Sequence, residues 1–303
     1  MTDSSPLRES AVAFRALHVP GRPLVLPNAW DTVSALLVEE AGAAALATTS
    51  AGIAWQLGAA DGDRLDRGQA LAAVERIAAR VRIPVTADIE SGYAPDAEGV
   101  RDTVGAVLTA GAVGVNIEDA LHDGSGVLRP VEEQAERISA ARAAADAAGV
   151  PLFVNARIDT FLGGGGSVGQ TLERAAAFVA AGADGVFVPG AADPEVVRAL
   201  ADGIDAPLNV VVGHGTPSTV PELAALGVAR ISAGSGLARA AHALVRRAAR
   251  ELLDTGTYDA LADGLDYGEL NGLLGTGRQD RNPADGRQDR NPAAGRRRAR
   301  SGR

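Results

Sequence analysis

The stretch Thr86–Tyr93, TADIESGY, follows an apolar lead-in, Ile83-Pro84-Val85, and sets two carboxylates, Asp88 and Glu90, two residues apart. Residues i and i+2 of a strand share a face, so both acids aim into one space. Further along, Glu118 and Asp119 close the run GVNIED, and Asn155, Arg157 and Asp159 alternate through VNARID. Like charges gathered away from water cost several kcal/mol each unless they are compensated. Two compensations suit these residue types. One is a hard divalent cation, which prefers oxygen ligands and needs only one or two direct carboxylates; Mg²⁺, with Mn²⁺ as a substitute, is expected among Asp61, Asp88, Glu90 and Glu118. The other is an ion pair with Arg157, whose planar fork also suits an anionic carboxylate or phosphonate.

Groups able to carry a proton are few. His122 follows the Glu118-Asp119 pair, His214 lies within VVVGHGTPST, and Tyr93 follows the acid pair of TADIESGY. Each can be tuned toward neutral pH, although a lone loop histidine is more often a surface residue. His18 and His242 fall elsewhere and read as structural. Asp31 precedes TVSALL as a helix N-cap. For Asp159, a rim ion pair or a cap is as good a reading as a catalytic one. Ser235, within SAGSG, either caps the last barrel helix or helps that helix present N–H groups to an anion.

The elements that must position these residues recur along the chain. Helix-like runs end at Gly42, Gly111, Gly149, Gly182 and Gly227, each followed at once by an apolar run. Glycine just past a helix takes the left-handed conformation without steric cost. Pro84 and Pro207 open two further apolar runs, and PLVLPN near residue 25 supplies another. Eight strands alternate with Ala-rich amphipathic segments such as Val131–Ala148 and Thr171–Ala181. That alternation over roughly 250 residues predicts a (β/α)8 barrel, with chemistry at the C-terminal ends of the strands. An open doubly wound sheet lacks its usual G-x-G-x-x-G after the first strand. Residues 1–274 read as one domain. The Arg-rich segment 275–303, with its GRQDRNPA repeat, reads as a solvated, disordered tail outside the chemistry.

Composition removes several classes of function. The chain has no cysteine, so thiolate metal sites and a cysteine acid or nucleophile are excluded. It also has no lysine, all 29 basic residues being arginine, which excludes Schiff-base and pyridoxal-phosphate chemistry. The tail holds nine arginines against three aspartates, so the rest of a chain of formal charge −9 stands at −15, a poor partner for nucleic acid. No apolar run approaches the ~20 residues that span a bilayer. The N-terminus has no secretory pattern, so the cytoplasm is expected. The Gly-rich LGGGGSVG, residues 162–169, reads as a flexible rim hinge rather than a phosphate loop, since it lacks the G-K-[ST] ending.

Five segments in order, LPNAWD (26–31), TTSAGIAWQLGAAD (48–61), ADIESGY (87–93), GVNIED (114–119) and VNARID (154–159), resemble the isocitrate lyase/phosphoenolpyruvate mutase superfamily over roughly residues 24–253. The resemblance implies a Mg²⁺-dependent lyase or hydrolase. It would cleave a C–C or P–C bond of a small 2-oxo or hydroxy carboxylate through an enolate-like species. It further implies Asp88 as the direct metal ligand, with Asp61, Glu90 and Glu118 acting through water. Arg157 and the Thr49–Ser50 backbone would bind the substrate, with Asn155 beside them. Homotetramers that exchange the last barrel helix between neighbours are also implied. Three departures stand out: Asp-x-Glu replaces the usual Asp-x-Asp, the K-K-C-G-H loop is missing, and the loop from Glu118 to Ser125 has no lysine. Isocitrate lyase and phosphoenolpyruvate mutase activities proper are therefore not expected. The alternatives are a carboxylate-binding barrel with reduced catalysis and a phosphosugar isomerase-type barrel working from the loops after the seventh and eighth strands.

Overall fold

A computed structural model describes residues 4–162 and 165–275. The apolar runs form nine parallel strands: β1 (Leu24–Leu26), β2 (Asn28–Ala29), β3 (Leu46–Thr48), β4 (Val85–Asp88), β5 (Gly114–Glu118), β6 (Phe153–Arg157), β7 (Gly185–Phe187), β8 (Leu208–Val211) and β9 (Arg230–Ser232). Their order, β1-β9-β8-β7-β6-β5-β4-β3-β2, closes a barrel, because β1 and β2 are one stave broken at Pro27. Proline has no N–H to give the ladder. Asn28 closes the seam instead: its Nδ2 donates to Thr48 O at 3.0 Å and its Oδ1 accepts from Ala233 N at 2.9 Å. The expected (β/α)8 barrel is therefore the observed fold.

Helices α1 (Ser4–Ala16), α2 (Thr32–Glu40), α3 (Ser50–Gln56), α4 (Arg67–Ala78), α5 (Ala97–Thr109), α6 (Val131–Ala147), α7 (Val168–Ala180), α8 (Pro194–Gly203), α9 (Val220–Ala225), α10 (Gly236–Asp254) and α11 (Tyr267–Gly275) surround or extend it. The five predicted terminators, Gly42, Gly111, Gly149, Gly182 and Gly227, all have left-handed backbones. The helix predicted from residue 171 begins three residues earlier, because Ser167 caps it by accepting from Gln170 N. Asp31 caps α2 as expected, whereas Ser235 makes no side-chain cap on α10.

Small aliphatic side chains of the strands and helices make one core. The N-terminal mouth of the barrel is stopped by α1. Its Phe14 is fully buried against Gly114, where a Cβ would come within 2.9 Å of the ring. His18 stacks on Phe153 with centroids 3.8 Å apart, and burial lowers its pKa to about 3. It is structural, as expected.

One helix leaves the barrel. Of the 19 residues of α10, only Ala238 is buried, while Val245 and Leu253 are 66% and 83% exposed. On the barrel, Val25 of β1 is 43% exposed, beside an apolar groove of about 500 Å³. Among the described residues, no helix is long and apolar enough to cross a membrane. The predicted tail lies beyond residue 275, and Gly163 and Gly164 of the expected hinge also lie outside the described residues.

Candidate active site at the C-terminal rim

The rim is built from the ends of β3 to β6. Thr49 ends the β3 segment and caps α3, its Oγ1 accepting from Gly52 N at 3.4 Å. The next residue, Ser50, then faces Asp88 at the end of β4. Its N–H and Oγ both donate to Asp88 Oδ2, at 3.2 and 2.8 Å. Thr48 Oγ1 accepts from Asp88 N at 2.9 Å and fixes the strand end. Asp88 Oδ1 is buried without a hydrogen-bond partner among the described residues. Ser50 Oγ also lies 3.4 Å from Asp61 Oδ1. Asp61 is exposed as a residue, but partial burial of its carboxyl and then the Asp88 charge raise its pKa.

Glu90 sits two residues further on, only 2% exposed, and burial raises its carboxyl to about 7. Its Oε2 accepts from Asp63 N, and its Oε1 accepts from the Tyr93 hydroxyl at 3.2 Å. Burial, followed by the Glu90 charge, pushes the Tyr93 phenol upward. Glu118, at the end of β5, pairs through Oε1 with His122 Nε2 and through Oε2 with Arg157 Nη1. Burial raises the Glu118 pKa and Arg157 opposes that rise. The hydrogen bond to Glu118 lifts His122 to about 9.

Asp63, Glu90 and His122 form a compact group, with ligand atoms all within 4.8 Å of one another. The expected set of Asp61, Asp88, Glu90 and Glu118 is thus arranged in two neighbouring clusters. Asp61 and Asp88 share Ser50, while Glu90 sits with Asp63 and His122. Glu118 reaches His122 from the other side. Buried acids with raised pKa values and an unpartnered Asp88 oxygen suit a hard divalent cation. His122 would add a nitrogen donor that also admits Mn²⁺ only on losing the proton that its contact with Glu118 favours.

Arg157 makes the ion pair expected of it. Its Nε and Nη2 donate to both oxygens of Asp159, at 2.7 and 2.9 Å, and its Nη1 faces Glu118. Burial works against its charge, but Glu118 and Asp159 reverse that and raise its pKa. The two carboxylates are 2% and 7% exposed and need a counter-charge where they stand. The ion-pair reading of Asp159 is the observed one. Asp119 serves the scaffold, accepting from Asp159 N and from Arg174 Nε of α7 at 2.9 and 2.7 Å.

Asn155 lies below the rim. It is 1% exposed, with its Nδ2 donating to Asn116 Oδ1 and Asn209 Oδ1 at 2.8 and 3.1 Å. Arg230, fully buried at the start of β9, donates from Nη2 to the same Asn116 oxygen at 3.1 Å, and burial lowers its pKa to about 9. His214 is exposed on the loop after β8, with no hydrogen bond among the described residues. Sequence reading missed Asp63, Arg230 and Arg137. Asp63 is the second acid of DGD, and Arg230 is the one charge inside the apolar run GVARIS. Arg137 stands one residue before Ile138 and four before Ala141, on the buried face of α6.

Comparison with known proteins supplies the context. The family model described as phosphoenolpyruvate phosphomutase matches residues 14–253. An uncharacterized protein of Mycobacterium tuberculosis (strain H37Rv) is 38% identical over 269 residues, covering 87% of this chain and 96% of the relative. The 2-methylisocitrate lyase of Escherichia coli (strain K12) is 31% identical over 234 residues, 74% of this chain and 77% of the relative. Among solved structures, a phosphonopyruvate hydrolase in complex with oxalate and Mg²⁺ superimposes with a TM-score of 0.78 at 26% identity, covering 88% of this chain and 95% of that one.

Proposed function

The chain belongs to the phosphoenolpyruvate phosphomutase family, within the isocitrate lyase/PEP mutase superfamily, and from that premise we propose that it is a divalent-cation-dependent lyase or hydrolase. It acts on a small 2-oxo or hydroxy carboxylate, cleaving the C–C or P–C bond next to the carbonyl or carbinol through an enolate-like species. The observation that carries this reading is Asp88. One of its oxygens is fixed by Ser50, the other is buried without a partner, and Asp61, Glu90 and Glu118 stand around it.

Asp88, with Asp61, Glu90 and Glu118 about it, would hold Mg²⁺ or Mn²⁺. Bound there, the cation supplies Lewis-acid stabilisation of the electron-rich oxygen of the substrate. The protein does the rest. Ser50 keeps Asp88 aimed, and Tyr93 and the Asp63 amide keep Glu90 aimed. With cysteine and lysine absent, His122 is the proton carrier: its Nε2 holds a proton against Glu118 and is charged at neutral pH. Arg157 pairs with Glu118 and Asp159 and meets a substrate carboxylate only by trading one of these partners. The exposed apolar face of α10 and the uncovered Val25 groove fit a helix exchanged between copies, so the working form is a homo-oligomer.

The test is pyruvate release from a panel of 2-oxo diacids, with and without Mg²⁺. Turnover that requires the cation and is lost in Asp88→Ala is the expected result. Saturable, Mg²⁺-dependent binding of the same acids without turnover would replace the enzyme by a carboxylate-binding barrel.

A further inference from the structure

Among the described residues, only three that are not glycine have left-handed backbones: Asp63 (φ 54°), Glu90 (φ 51°) and Tyr93 (φ 51°). Such residues persist only where their surroundings over-determine them. Here all three belong to one hydrogen-bonded group at the rim. Asp63 N and the Tyr93 hydroxyl donate to the two oxygens of Glu90, and Ser91 Oγ donates to Asp63 Oδ2. A cluster of strain at a candidate site needs an anchor, and the turn from Ile89 to Ala94 shows where it is.

The carbonyls of that turn are fixed from outside it. Glu118 N donates to Glu90 O at 2.9 Å, tying it to β5. Thr103 Oγ1 of α5 donates to Gly92 O at 2.8 Å. The carbonyls of Ser91 and Ala94 converge on one atom, Arg137 Nη2 of α6, at 2.6 and 2.8 Å. Arg137 is 1% exposed and lies 46 residues from Ser91 in sequence. Gly92 (φ 103°) presses the turn onto α5, where a Cβ would come within 2.8 Å of Val100. A buried guanidinium is costly unless its donors are used; Arg137 Nη2 gives its hydrogen bonds to the two carbonyls that directly follow Glu90 and Tyr93, while Nε and Nη1 are buried without partners among the described residues.

We infer that Arg137 is the positioning residue of this site: from behind the rim it clamps the Ser91 and Ala94 carbonyls, so that the left-handed turn offers Glu90 and Tyr93 to the cation and substrate. The inference rests on the proposed function for what the turn serves, but not for the clamp itself. Arg137 touches no reacting group, and its effect passes through backbone geometry.

The experiment uses the full chain with Arg137→Met and Arg137→Lys. Two quantities are read: hydrogen exchange at the Asp63 and Gly92 amides, and Mn²⁺ affinity by calorimetry. In Arg137→Met both amides should exchange at least about tenfold faster and Mn²⁺ should bind about tenfold more weakly, the scale of lost outer-shell support. Amides in the middle of α5 should stay within about twofold. Arg137→Lys, which can still donate to both carbonyls, should recover most of each loss. A lower melting temperature with unchanged Asp63 exchange and unchanged Mn²⁺ affinity would overturn the inference and leave Arg137 as core packing. Should Arg137→Met fail to fold, Arg137→Gln, with an amide donor on a shorter stem, is read in the same two ways against the same criteria. A wild-type chain that bound no Mn²⁺ would count against the proposed function, while amide exchange would still decide the clamp.

Discussion

The two halves of the barrel rim use the same residue types differently. On the half formed by β7 to β9, acidic side chains cap the helices next to them. Asp193 accepts from Glu195 N and Val196 N at the start of α8, and Glu222 closes the capping box of Thr219 on α9. On the half formed by β3 to β6, Asp66 and Asp96 cap α4 and α5 in the same local way, but other acids reach across the fold. Asp88 is held by Ser50, Glu90 by Asp63, and Asp119 by Arg174, at sequence separations of 38, 27 and 55 residues. Local caps satisfy helix ends and leave the acid in solvent. Glu90 and Asp119, with their long-range partners, are buried, and burial raises the pKa of both. The lesson is that the number of carboxylates on a rim says little; what matters is whether their partners are near or far along the chain.

This contrast can be tested by substitution. The largest effect is expected at Asp88→Ala, which should lower cation-dependent turnover on the order of 10³-fold and abolish the rise in melting temperature that Mg²⁺ produces. An Asp193→Ala chain, cut on the other half, should keep turnover within about twofold and lose about 1 kcal/mol of stability as a missing cap. Equal losses of activity in the two variants would erase the distinction.

Next comes Arg157→Met, which leaves Glu118 and Asp159 buried without their shared cation. It should lower stability in urea by about 3 kcal/mol. A change below about 0.5 kcal/mol would show that these carboxylates take up protons or water instead.

The pH dependence sharpens the comparison. Glu90 is held at about 7 rather than in the usual carboxylate range, so the fold favours its protonated form, and ionising it costs stability as pH rises toward that value. A cation needs it ionised. Mg²⁺-induced stabilisation should therefore be small near pH 5.5 and grow through about pH 7. His122, raised to about 9, stabilises the cation-free fold fully below its ordinary value near 6.5, a contribution lost as pH rises through about 9. Melting curves without metal should fall across that interval in the wild type and flatten in His122→Gln. The smallest effect is expected at His214→Ala, within about 0.5 kcal/mol, since this side chain is exposed and unbonded among the described residues.

Much of this was legible from sequence, and the reasons are local. Gly42, Gly111, Gly149, Gly182 and Gly227 ended their helices because a left-handed terminator is a one-residue decision. Asp31 capped α2 for the same reason. The alternation of Asp88 with Glu90 was visible because strand geometry has a period of two. Arg157 stands on the rim and makes the ion pair expected of it. Its partners are Glu118, on the neighbouring strand β5, and Asp159, and only the parallel register that pairs Glu118 with Arg157 reveals the first of them. Asp63 escaped notice because a loop acid acquires meaning only when its amide meets Glu90. The break at Pro27 needed the barrel to close before Asn28 could be seen as its seam.

The sequence by itself determined the alternation of strand and helix, the barrel that this alternation builds, and which side chains stand at the strand ends, because each follows from periodicity or from chemistry within a few residues; the family came from the resemblance of five ordered motifs. Tertiary structure alone decided who partners whom: Ser50 with Asp88, Asp63 with Glu90, Glu118 with both His122 and Arg157, and Arg137 behind the left-handed turn. Those pairings depend on burial and on contacts between distant segments. A carboxylate's charge, aim and availability are fixed by them, and they come into being only when the barrel closes.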